Sequence, residues 1–115
     1  MLVIVRNEGS LVYGGTSLDE DLEHTFDHAI CVQKVGRDTG GEFAEITVKR
    51  SDGSEELFKL DHVNKEHTID GIVLVALIGF IKWKTDDHRL PAVRLGFDAP
   101  RSYRLVRDNA IKRTE

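Results

Sequence analysis

The chain has 115 residues, 40% hydrophobic and 31% charged, a size and balance that suit one ordinary globular domain. Its single cysteine, Cys31, excludes an intrachain disulfide and suits a reducing cytoplasm, and its longest apolar run, Ile72 to Ile81, falls well short of the roughly 20 residues that span a bilayer. The net charge of −4 speaks against a nucleic-acid partner, yet it is unevenly spread: residues 16–70 hold 14 acids and 6 bases, whereas residues 71–115 hold 9 bases and 5 acids.

In chain order, Leu2 to Val5 and Leu11 to Tyr13 read as a hairpin or bent strand pair turned at Asn7-Glu8-Gly9-Ser10. The first of these runs is too short for a secretory leader, and Arg6 and Glu8 interrupt it. Gly14-Gly15 stops the pair. Ser17 with Glu20 forms a capping-box pattern, and Leu18, Leu22, Phe26 and Ala29-Ile30 recur at helical spacing, which predicts an amphipathic helix over 18–30. Ala44, Ile46 and Val48 alternate with polar residues, as do Phe58 and Leu60. Ser51-Asp52-Gly53-Ser54 between them supplies turn chemistry, so these segments form the clearest hairpin in the chain.

His62 to Asp70 reads as a polar connection, and Ile72 to Trp83 as a long apolar strand. Residues Thr85 to Pro91 turn the chain into a strand at Ala92 to Phe97. Pro100 fixes a bend, Ser102 to Val106 forms the last strand, and Asp108 caps a short terminal helix turn.

Two terminal segments carry the most specific signal. Met1-Leu2-Val3-Ile4-Val5-Arg6 with Gly9 opens the chain; Val93-Arg94-Leu95-Gly96-Phe97-Asp98-Ala99-Pro100, with Arg107 seven residues beyond the proline, nearly closes it. Together they resemble the carbon storage regulator (CsrA/RsmA) family of mRNA-binding translational regulators. The resemblance covers about 1–15 and 71–112. It departs from the family at Val5, Asn7, Ser10 and Val106, where the family favours a hydroxyl residue, a base, Glu and His.

The resemblance implies a mainly β fold, an intertwined homodimer of short antiparallel strands; the acidic block over about 16–70, which the family pattern does not explain, reads as an inserted helix and hairpin projecting from that core or packing on it. It also implies an RNA site where the first strand of one subunit lies beside the last strand of the other, reading GGA-type loops in mRNA or small RNA and repressing translation. Matched position by position, Ile4, Arg6, Ala99, Leu105 and Arg107 are the implied contacts, with the backbone near Val5 and Ala99 reading base edges. Arg101 and Arg104 add charge, and period 2 sets Tyr103 beside Leu105 and Arg107.

Other chemistry is sparse. His24, His28 and Cys31 would share one face of the expected helix at zinc-ligand spacing, with His62 and His67 as candidates for a fourth ligand, but surface histidines and a partly buried thiol are the preferred account, and no metal or cofactor is expected. Asp86-Asp87-His88 reads as a turn, and Phe80 and Trp83 as core. Without a phosphate loop or nucleophile motif, the chain reads as non-catalytic. The second functional reading is a protein-interaction module that keeps the scaffold, has lost RNA binding and meets a protein partner or antagonist through its acidic insert.

Overall fold

The computed structural model describes residues 1–81 and 92–107. Among them run nine strands and one helical turn: β1 (Leu2–Asn7), β2 (Leu11–Gly15), α1 (Leu22–Thr25), β3 (His28–Asp38), β4 (Gly41–Arg50), β5 (Glu55–Asp61), β6 (Glu66–Ile69), β7 (Val73–Ile81), β8 (Ala92–Asp98) and β9 (Arg104–Arg107). They form two antiparallel sheets, ordered β1-β8-β7-β6 and β5-β4-β3-β2-β9. The fold is mainly β, as the sequence predicts.

Alternation explains how the sheets meet. Ile4, Val73, Val75, Val93, Leu95 and Phe97 point from the four-stranded sheet, and Val12, Ile30, Val32, Ala44, Ile46, Val48, Phe58 and Leu60 from the five-stranded one, into one shared core. A bulge at Val32/Lys34 and another at Leu77/Gly79 each take in one extra residue. The second leaves Ile78 exposed and returns Phe80 toward the core.

The hairpin predicted across Ser51–Ser54 is present as β4 and β5, in register from Lys49↔Glu55 to Phe43↔Asp61. Gly53 has φ +93°, the left-handed conformation that the turn requires. Three other expectations are corrected. The helix over 18–30 is reduced to Leu22–Thr25, and the chain from His28 onward is the longest strand. Ile30 and Val32 are β-branched and lie on the buried face of that strand, so burial there outweighs the weak helical periodicity. Leu18 and Leu22 are nonetheless buried, packed with Tyr13 and Ala29 as a strap across the outer face of the five-stranded sheet.

β1 and β2 are not a hairpin. Their turn, closed by Ser10 N donating to Asn7 O at 3.0 Å, carries the chain from one sheet to the other. The polar connection over 62–70 contains β6, in which His67 and Ile69 alternate with exposed Glu66 and Thr68. β7 matches the long apolar strand up to Ile81; Lys82 and Trp83, the turn over 85–91 and the terminal turn at Asp108 lie outside the described residues.

Residues 16–70 do not project from a compact core. They contribute Ile30, Val32, Ala44, Ile46, Val48, Phe58, Leu60 and Ile69 to it. Among the described residues no helix is long and apolar enough to cross a membrane.

Candidate functional site

β1 and β9 end their respective sheets: β1 pairs with β8 (Ile4↔Leu95) and β9 with β2 (Leu105↔Gly14). The expected meeting of these strands is between two subunits; here β1 and β9 of one chain, not paired with each other, flank a common groove. Leu2, Val3 and Ile4 line one wall and Leu105 and Arg107 the other, around a cavity of about 260 Å³. A second cavity of about 290 Å³ shares Leu2 and Leu105 and continues past Met1 to Phe97, Ala99, Pro100, Arg101 and Tyr103. The result is a trough of mixed lining, apolar at Leu2, Ile4 and Leu105, with exposed arginines Arg107 and Arg101 toward its ends and the exposed Asp98 also on its wall.

Six of the nine predicted RNA contacts thus meet around one trough: Ile4, Ala99, Arg101, Tyr103, Leu105 and Arg107. The other three are placed elsewhere. Val5 points outward on the opposite face of β1, opposite Arg94 in register. Arg6 follows the inward alternation of Ile4 and is only 6% exposed, so its guanidinium is part of the interior. Arg104 occupies the far face of β9, where its Nη1 donates to the Leu18 carbonyl at 3.3 Å.

Tyr103 enters the trough from below. The hydroxyl end of its ring packs against Gly14, where an added Cβ would fall on the phenol hydroxyl. The hydroxyl is 2.8 Å from His28 Nδ1, and His28 Nε2 is 2.7 Å from Asp70 Oδ2. A carboxylate can only accept, so Nε2 carries a proton; in the neutral ring Nδ1 then accepts from the tyrosine O–H. Burial pushes the Tyr103 phenol well above its ordinary pKa, which keeps it a donor.

The chain of contacts continues. Arg50 Nε and Nη2 donate to both Asp70 oxygens at 2.9 Å, and Nη2 also donates to Glu56 Oε1 at 2.6 Å. Glu56 Oε2 meets His67 Nε2 at 2.6 Å, and the His67 ring stacks on Phe58 at 3.9 Å. Hydrogen bonds from Arg50 and then His28 hold the Asp70 carboxyl far below its usual range. For Glu56, burial acts in the opposite direction, but the bonds from His67 and Arg50 outweigh it and lower the pKa. None of this was legible in the sequence, because His28, Arg50, Asp70 and Tyr103 are brought together only by folding.

The zinc arrangement also fails with the helix that motivated it. His28 is committed to Tyr103 and Asp70, and His24 Nδ1 is 2.8 Å from Asp21. Among the described residues no group of three or more metal-binding side chains assembles. Cys31 and His24 instead border a cavity of about 470 Å³ between the strap and the outer sheet face, beside the Tyr13–Phe26 ring pair. No family model, curated protein or solved structure matches this chain.

Proposed function

We propose that the chain binds single-stranded RNA in the trough between β1 and β9, selects GGA-type loop sites in mRNA or small RNA, and regulates translation in the cytoplasm without catalysis. In this reading it works as a homodimer that presents two such troughs. The observation that carries it is the convergence, around one partly apolar trough with arginines toward its ends, of two segments from opposite ends of the chain. Unpaired bases need apolar walls to replace lost stacking and backbone edges to read their hydrogen-bonding groups, and their phosphates need nearby cations. Leu2, Ile4 and Leu105 provide the walls, the two sheet-edge strands the backbone groups, and Arg107 and Arg101 the cations. Arg6 is interior and is not among the proposed phosphate contacts.

A gel-shift titration of a GGA-loop hairpin against a scrambled loop tests this reading. The hairpin should bind more tightly, and affinity should fall steeply with salt. Arg107→Ala should weaken binding about tenfold, the scale of one charge-assisted hydrogen bond, and reduce the salt slope by about one. Its melting temperature should stay unchanged, because Arg107 is exposed. Equal affinity for the two loops, or for mutant and wild type, would overturn the reading.

A further inference from the structure

β9 is poorly equipped to hold its own position. Among the described residues it spans Arg104–Arg107, ends its sheet, and pairs with Val12, Tyr13, Gly14 and Gly15 of β2, where the two glycines offer Arg104 and Leu105 no side chain opposite. Arg104 and Arg107 are exposed, and Leu105 and Val106 are half-buried. The buried anchor is Tyr103, immediately before the strand, and its hydroxyl begins the relay to His28 and Asp70. Asp70 belongs to the β6–β7 turn of the other sheet, where it adopts φ +52°, and Arg50 of β4 grips both its oxygens. The relay therefore adds hydrogen bonds to the opposite sheet beyond the partial packing of Leu105 on the shared core and of Val106 on the strap cluster.

We infer that the Tyr103–His28–Asp70 relay holds β9 in place at the trough, making His28 and Asp70, which do not line it, positioning residues for the RNA bound there. The role assigned to the RNA rests on the function proposed above; the hold on β9 does not. Two substitutions separate the relay from direct contact and from gross unfolding. Tyr103→Phe keeps the ring that lines the trough and removes only the hydroxyl. Asp70→Asn acts from outside the trough, and asparagine tolerates the left-handed backbone at that position.

Hydrogen exchange would be followed at the amides of Arg104–Arg107 and, as reference, at Val32 and Ile46 in the central strands. RNA affinity would be measured with the GGA-loop hairpin well below the melting temperature. In both variants β9 exchange should rise at least about fivefold relative to the reference amides, and affinity should fall about fivefold, the scale of one lost neutral hydrogen bond. A merely global loss of stability would accelerate all the amides together and leave low-temperature affinity unchanged, and that outcome overturns the inference. Unchanged β9 exchange also overturns it. If the wild-type protein binds no hairpin while β9 exchange rises in the variants, the hold on β9 stands and the proposed function falls.

Discussion

Gly14 and Gly96 are both strand glycines whose missing side chain is used, and they should respond differently to alanine. At Gly14 the new methyl would collide with the Tyr103 phenol, which is buried and hydrogen-bonded, so neither partner can give way. At Gly96 it would meet the thioether of Met1, a flexible side chain that is 66% exposed, and then Ile78 at 3.2 Å. Gly14→Ala should cost about 2–3 kcal/mol and Gly96→Ala under about 1 kcal/mol, read from urea denaturation. Asp70 supplies a residue-scale pH dependence. Its carboxyl is lowered in the folded state, so its contribution is present above the unfolded value of 3.8 and is lost as pH falls toward the folded value. Wild type should lose stability steeply below about pH 4; Asp70→Asn should start less stable at neutral pH and lose less between pH 4 and 2, which acid titration of the melting temperature would reveal.

At the scale of elements, the β4–β5 hairpin and the 18–30 segment show where sequence patterns succeed and where they are overridden. The hairpin was readable because alternation and turn chemistry agree, and Asp52 Oδ1 accepts from Ser54 N at 2.9 Å to close the loop. Gly53→Ala should destabilise the protein by about 1–2 kcal/mol, since nothing blocks the methyl and only the positive φ opposes it. Calorimetry would distinguish this from the near-zero cost of an ordinary surface change. In the 18–30 segment, Leu18, Leu22 and Phe26 do gather on one side, but against Tyr13 and Ala29 as a strap, with one helical turn at Leu22–Thr25. Spacing alone reported their common burial correctly and their conformation wrongly. β6 was hidden for the opposite reason: four residues with a single apolar position give too little alternation to stand out.

For the molecule as a whole, the two sheets share one core, and eight of its residues come from 16–70. A chain lacking residues 16–70 would lose β3 to β6, leaving β2 without its β3 neighbour and β7 without its β6 neighbour. It should fail to give a cooperatively folded monomer, as judged by near-ultraviolet circular dichroism and the loss of a thermal transition. A folded monomer would contradict the shared core. The acidic surplus of this block is therefore carried on the surfaces of structural strands and a strap, while its apolar residues build the interior.

Local chemistry in the sequence determined the β character, the β4–β5 hairpin, the buried β7 and β8, and the presence of apolar and arginine-bearing segments at the two ends. Those features depend on alternation, turn residues and β-branched content within a few positions of one another. Only the tertiary structure decided that Arg6 is interior while Arg107 is exposed, that β1 and β2 belong to different sheets, and that Tyr103, His28, Asp70 and Arg50 form one relay. Each depends on which distant strand lies opposite, and that choice is made by closing a common core between two sheets, a long-range energy that no local pattern records.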